Sequence, residues 1–148
     1  MADPGAFVGL GTLCVIAGGL VAAANGLAPS AHGSWAAAYL VLVAGVAQVA
    51  LGAGQRFLGA QSLAPWASVG GELGSWNLGN AAVITGTLLG LQTLTYAGSG
   101  LLVVALGLFA LTTRHSRPPR PWFLAAYRAV VAALAISVPV GVVLAGAH

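Results

Sequence analysis

The chain has 148 residues, of which 59% are hydrophobic and 5% are charged, and its five basic and two acidic residues give a net charge of +3. About a quarter of the residues in a soluble domain are charged, so this composition excludes a soluble globular protein. It predicts an all-α, polytopic helical membrane protein that forms a single transmembrane domain over residues 1–148. We assign the net positive charge to loop arginines on the cytoplasmic side of the membrane and exclude nucleic acid as a partner.

The first half of the chain contains two apolar segments long enough to cross a bilayer. The first predicted helix covers residues 7–24, and it lacks the preceding lysine or arginine that a signal peptide requires. Residues 25–34 are rich in Gly, Pro, Asn and Ser, which indicates a turn. The second predicted helix covers residues 35–53, with Trp35 and Tyr39 near the lipid headgroups.

The second half begins with an interfacial connection over residues 54–75. Residues 76–113 then form one long uncharged run, which as a single helix would be about 57 Å long at 1.5 Å per residue. Because this is nearly twice the thickness of the hydrocarbon core, we predict two helices, 76–94 and 97–113. They would be joined by a tight turn within residues 94–100.

The last loop and the last helix fix the preferred topology. Residues 112–121 contain three arginines and three prolines, and a final helix is predicted over residues 122–147. With this loop in the cytoplasm of a bacterial inner membrane, five crossings place Arg56 on the same side, as the positive-inside rule prefers. Four crossings place Arg56 outside, so five transmembrane helices are preferred and four remain the alternative.

Residues for enzymatic chemistry are sparse. The three histidines, His32, His115 and His148, fall in predicted loops or at the terminus, away from the clusters that metals and haem require. No nucleophile, phosphate-binding or thiol motif is present, so we predict neither an enzyme nor a cofactor. Glu72 and Arg56 are interpreted as solvated charges at the membrane interface. Since this leaves no carboxylate within a helix, transport would be passive.

A few uncharged polar side chains interrupt the apolar helices. Gln48 must find a partner there, because an unpaired amide in hydrocarbon costs several kcal/mol. Gln48 could either form a hydrogen bond between helices or contact a solute in a pore, and the sequence allows both roles. Asn80 and Thr87 are seven residues apart and share a helix face. We predict Gln48, Asn80, Thr87 and Gln92 as pore or substrate contacts.

Glycines supply candidate helix contacts. Gly5 and Gly9, and likewise Gly86 and Gly90, have the spacing that lets helix backbones approach closely in lipid. We predict these four glycines as helix-packing residues. The lipid bilayer is the first partner, and either a homo-oligomer or a larger membrane complex is the second.

Three stretches resemble the acetate uptake transporter family. They are DPGAFVGLG at residues 3–11, GVAQVALG at residues 45–52 and the pair Gly79–Asn80. The resemblance implies a six-helix protein that assembles into hexameric rings and moves small monocarboxylates. Asp3 stands where the family has Asn, and Asn80 follows Gln48 at a longer distance than in the family.

Two functions follow as hypotheses. A small-solute channel or permease subunit, with small monocarboxylates as candidate solutes, predicts polar side chains that share one path. A non-catalytic accessory subunit of a larger membrane complex instead predicts scattered polar side chains, each satisfied at one helix contact.

Overall fold

The computed structural model describes residues 5–58, 69–114 and 121–146. All regular secondary structure in these ranges is helical, which confirms the predicted all-α class for the described chain. Residues 59–68 and 115–120, which belong to predicted connections, lie outside the described residues. The elements, in chain order, are α1 (Gly5–Leu27), α2 (Ala31–Tyr39), a π-helical segment (Leu40–Ala47), α3 (Gln48–Leu58), α4 (Val69–Leu89), α5 (Gln92–Thr112) and α6 (Pro121–Gly146).

Four helical segments of the described chain are long and apolar enough to cross a membrane: Gly5–Leu27, Ala31–Leu58, Gln92–Thr112 and Pro121–Val138. The second is one continuous helix made of α2, the π-helical segment and α3. This finding is compatible with an integral membrane protein, but the predicted count of five crossings is not confirmed. The remaining long helix, α4, has 21 residues, and Glu72 and its polar neighbours lower its mean hydropathy.

Contacts divide the chain into two compact units. One consists of Pro4–Ala53 and is called the N-terminal unit below; the other consists chiefly of Gly54–His148 and is called the C-terminal unit. In the N-terminal unit, α1 packs against α2 and the π-helical segment. A Cβ added to Gly11 would lie 2.9 Å from the carbonyl oxygen of Gly45. This contact therefore depends on glycine, which lets two backbones approach closely.

The turn between α1 and α2 is shorter than the predicted 25–34. Ser30 caps α2, because its Oγ accepts a hydrogen bond from the backbone N–H of Gly33 at 3.0 Å. Asn25 holds the turn from the end of α1: its Oδ1 accepts from the backbone N–H of Ser30 at 3.0 Å, and its Nδ2 donates to Ser34 Oγ at 2.9 Å. Asn25 and Ser30, which indicate a loop in the sequence, thus form the hydrogen bonds that end α1 and begin α2.

In the C-terminal unit, the turn between α4 and α5 lies at Gly90, before the predicted range of 94–100. Gly90 has a φ of +67°, a left-handed conformation that favours glycine. The N–H of Leu91 donates to the carbonyl of Gly86 at 2.7 Å, and the N–H of Gly90 donates to that of Thr87 at 3.4 Å. These two bonds form a Schellman motif, which ends α4.

Helix α4 begins at Val69, seven residues earlier than predicted. In its glycine-rich first turns, polar side chains satisfy their hydrogen bonds on the backbone of the same helix. Ser75 Oγ donates to the carbonyl of Gly71 at 2.7 Å, and Asn77 Nδ2 donates to that of Leu73 at 2.8 Å. The segment that we interpret from sequence as an interfacial connection is therefore partly helix.

Helices α4 and α5 form an antiparallel hairpin that makes the most extensive contact between elements of the described chain. Close contacts run along its full length and bring the first turn of α4 beside the last turn of α5. They join Glu72 to Thr112, Trp76 to Phe109, Gly79 to Gly98 and Gly86 to Thr95.

The four glycines predicted to pack helices have different surroundings. A Cβ on Gly86 would lie 2.6 Å from the backbone nitrogen of Thr95, so Gly86 permits a close approach within the hairpin. Gly90 instead forms the turn. A Cβ on Gly9 would meet nothing within 4 Å, and Gly5 is half-buried.

Helix α6 packs on α5 and completes the C-terminal unit. Pro121 occupies its first position, where the missing N–H costs no helical hydrogen bond. Tyr127 is buried against Gly54, whose lack of a side chain makes room for the phenol ring. Arg128 Nη2 donates to the carbonyl of Arg114 at 3.4 Å, which ties the start of α6 to the end of α5.

Candidate functional site

The candidate site is a buried group of polar side chains at one end of the C-terminal unit. Three of its members, Gln55, Glu72 and Thr112, are called the Glu72 network below. They come from the last turns of α3, the first turn of α4 and the last turn of α5. The antiparallel register of α4 and α5 places Glu72 beside Thr112, and Gln55 reaches both from α3.

Each oxygen of the Glu72 carboxylate accepts one hydrogen bond from this network. Gln55 Nε2 donates to Oε2 at 2.7 Å, and Thr112 Oγ1 donates to Oε1 at 2.9 Å. Gln55 Nε2 also lies 3.1 Å from Thr112 Oγ1, which closes a triangle of three side chains. Glu72 is 0% exposed, Gln55 4% and Thr112 7%.

Glu72 is buried without an ion pair to any basic residue in the described part of the chain. Arg56, Arg114 and Arg128 are exposed, although they lie at the same helix ends as the Glu72 network. Burying a carboxylate without a cation costs free energy, so a residue of this kind inside a membrane helix bundle is a candidate functional group.

An aromatic layer separates the Glu72 network from the centre of the hairpin. Trp76, one turn along α4 from Glu72, contacts Phe109 edge to face, with ring centroids 6.1 Å apart and an interplanar angle of 83°. Trp76 is 1% exposed. Asn80 follows one turn further and donates through Nδ2 to the carbonyl of Trp76 at 2.9 Å.

Several buried side-chain atoms have no hydrogen-bond partner among the described residues. Leaving such an atom unpaired costs about 1–3 kcal/mol, so each needs a partner such as water, an ion or a polar ligand. Four of them lie in the C-terminal unit and include both donors and acceptors: Gln55 Oε1, Trp76 Nε1, Asn80 Oδ1 and Tyr127 Oη.

The four predicted pore contacts are distributed over both units. Gln48 lies in the N-terminal unit; it is 0% exposed, and neither atom of its amide has a partner in the described chain. Asn80 and Thr87 lie two turns apart on α4, where Asn80 is 3% exposed and Thr87 is half-buried. Gln92 is exposed at the first position of α5. Of these residues, Asn80 contributes an unpartnered atom, Oδ1, to the C-terminal unit, whereas Gln92 lies on the surface of that unit.

The interpretation of Glu72 as a solvated interface charge is wrong, because its side chain is completely buried. Sequence reasoning also missed Gln55, Thr112 and Tyr127 as members of the site. One signal could have revealed the carboxylate: Glu72, Trp76 and Asn80 are four residues apart in succession and therefore share a helix face.

No model of a known protein family, no curated protein and no solved structure matches this chain.

Proposed function

We propose that this chain is an integral membrane protein that acts as a small-solute permease subunit, with its solute contacts in the C-terminal unit. The observation that supports this function is the set of buried, unpartnered donors and acceptors beside a buried carboxylate. In a membrane helix bundle, such groups are typical of substrate and ion pathways.

The proposal includes α4 as a fifth crossing. At 1.5 Å per residue, its 21 residues extend about 32 Å, which is close to the thickness of the hydrocarbon core. Its contacts with α5 continue from Glu72 to Gly86. Five crossings also put Arg56 and Arg114 on one side, which we assign to the cytoplasm of a bacterial inner membrane.

The chemistry of the site narrows the class of solute. Trp76 Nε1 can only donate, Asn80 Oδ1 can only accept, and the Tyr127 hydroxyl can do both. Near an ionised Glu72, an anionic solute would be repelled strongly, because the Coulomb energy is large at low dielectric. We therefore propose small uncharged solutes with both a donor and an acceptor, including the undissociated form of a small monocarboxylic acid.

Glu72 changes the expected mode of transport. The expectation of passive conduction depends on the absence of a carboxylate within the helices, and Glu72 is buried in the first turn of α4. Passive conduction is therefore no longer the better proposal. The role of Gln48 as a pore or substrate contact stays a prediction for the N-terminal unit. Assembly into a homo-oligomer stays a prediction for the whole protein.

Flux through proteoliposomes tests the proposal. The purified full chain is reconstituted, and stopped-flow light scattering measures the entry of formamide, urea and acetic acid relative to empty liposomes. Asn80→Leu should reduce the flux at least several-fold, because it removes the unpaired Oδ1. Thr85→Val on the exposed side of α4 is the matched control and should retain the wild-type rate. Wild-type flux no faster than that of empty liposomes, for every solute, would refute the permease function.

A second candidate, the accessory subunit, is favoured by a different observation. Many polar side chains in the helices donate to a carbonyl of their own helix, as do Thr12 to Val8 and Ser99 to Thr95. Such side chains need no solute and no partner helix. This candidate predicts no flux from the purified chain, together with migration in a larger complex of fixed composition when the membrane is solubilised gently.

A further inference from the structure

Thr112 supplies the only hydroxyl of the Glu72 network, and three acceptors lie within reach of it. Its Oγ1 lies 2.9 Å from Glu72 Oε1, 3.1 Å from the carbonyl oxygen of Leu108 and 3.1 Å from that of Phe109. A hydroxyl carries one proton and two lone pairs. Thr112 can therefore donate to only one of these three oxygens at a time.

This choice lets the network hold Glu72 in either protonation state. When the carboxylate is ionised, Thr112 donates to Oε1. When a proton is bound at Oε1, the new Glu72 O–H donates to Thr112 Oγ1, and the Thr112 hydroxyl turns to the carbonyl of Leu108 or Phe109. The donation from Gln55 Nε2 to Oε2 at 2.7 Å is unchanged in both states.

From this geometry we propose that Glu72 is a reversible proton-binding site and that the hydroxyl of Thr112 is the group that adapts to the proton. The step is simple in its chemistry. A hydronium ion gives up a proton: one of its O–H bonds breaks and leaves water, an O–H bond forms at Oε1, and the carboxylate becomes a carboxylic acid.

The surroundings of Glu72 fit a site that changes its charge. The described charged or titratable groups on the elements around it are the exposed Arg56 of α3, Arg114 after α5 and Arg128 of α6, the exposed Tyr96 of α5, and the buried Tyr127 of α6. None of the described arginines forms an ion pair with Glu72. A fixed cation would hold the carboxylate in its charged form, so the lack of an ion pair leaves both states accessible.

The consequence for transport rests on the proposed permease function. If solute and proton share the C-terminal unit, protonation of Glu72 removes the negative charge one turn from Trp76 on α4. Solute entry would then be faster from the acidic side of the membrane, and proton binding would be coupled to solute movement.

The composition of the chain makes the proton site directly observable. Glu72 is the sole glutamate, and Asp3 is the sole aspartate. In the full-length protein labelled with glutamate ¹³C at Cδ and reconstituted in lipid, solid-state NMR therefore reports the Glu72 carboxyl alone. We expect its chemical shift to follow a single titration between the carboxylate and the carboxylic acid while circular dichroism shows an unchanged helical fold.

Variants at Thr112 test the role of its hydroxyl. Thr112→Val removes a hydrogen bond that is stronger to the ionised than to the neutral carboxyl, so the proton affinity of Glu72 should rise about fivefold relative to the wild type. Thr112→Ser keeps the hydroxyl and should titrate as the wild type does, and Asp3→Asn is the control for the other acid. A Glu72 shift that does not change with pH in the folded wild type would overturn the proposal. A titration that is identical in Thr112→Val would overturn the role of Thr112. The NMR titration does not depend on solute flux. It therefore tests the proton-binding site even if the permease function is refuted.

Discussion

Thr112 Oγ1 lies 2.9 Å from Glu72 Oε1 although the two residues are 40 positions apart in the chain. The contact joins the last turn of α5 to the first turn of α4, and it buries a carboxylate at the end of an apolar hairpin. The packing of the hairpin, the stability of the fold and the proposed transport site all depend on this contact. Each gives a prediction that can be measured.

Gln55 should stabilise the fold through its bond to Glu72. In Gln55→Leu, Oε2 of the buried carboxylate loses its donor, and the free energy of unfolding should fall by about 1–3 kcal/mol. Unfolding in detergent micelles, followed by circular dichroism, measures the change. Gln92→Leu replaces an exposed glutamine of α5 and should change the stability by much less. Equal effects of the two substitutions would contradict the network.

Gly98 should be required for the α4–α5 hairpin. A Cβ at this position would lie 2.7 Å from the carbonyl oxygen of Gly79 and 2.8 Å from the backbone nitrogen of Val83, so Gly98→Ala must push the helices apart. We expect a loss of roughly 1–3 kcal/mol in unfolding free energy. Gly107→Ala on the same helix meets nothing within 4 Å; it should be neutral or stabilising, because alanine favours helix over glycine. If Gly98→Ala is tolerated as well as Gly107→Ala, the close approach is wrong.

Gly90 should be the residue that allows the chain to turn. An alanine there must adopt a φ of +67°, at a cost of about 1–2 kcal/mol. Gly90→Asn should cost less than Gly90→Ala, since asparagine tolerates the left-handed region better. Thermal unfolding of the two variants in the same detergent ranks them. The reverse order would argue against the Schellman turn.

Five crossings predict which positions share a side of the membrane. In a chain whose single cysteine, Cys14, is replaced by serine, cysteines introduced at Arg56 and Arg114 should be labelled from the same side by a membrane-impermeant maleimide. Cysteines introduced at His32 and at Leu91, which is exposed at the α4–α5 turn, should be labelled from the opposite side. Labelling of Arg56 and Arg114 from opposite sides would contradict α4 as a crossing.

The sequence was sufficient to predict the helical class, because apolar composition depends on local residues. The turn was misplaced for a physical reason. The stretch from Leu94 to Gly100 has the residues of a loop, yet Gly98 serves a close helix contact there. The actual turn needs a single glycine between leucines, which gives little signal in a sequence rich in glycine.

The site was harder to predict because its partners are distant in the chain. Asn80 was identified from its spacing on a helix face, and that face continues to Glu72 only when α4 begins at Val69. The burial of Glu72 further depends on Gln55, 17 residues before it, and on Thr112, 40 residues after it. No local pattern encodes such contacts.

Entry of formamide, a solute that does not ionise, into proteoliposomes of the wild type and of Glu72→Gln tests most directly the claim that this buried polar group serves transport. The amide keeps the size of the side chain but can neither bind a proton at Oε1 nor carry the charge. We predict wild-type flux well above that of empty liposomes, accelerated by an acidic exterior. We also predict that the Glu72→Gln variant folds and reconstitutes normally and that its flux does not change with pH. Wild-type flux equal to that of empty liposomes, or the same pH response in both proteins, would contradict the account.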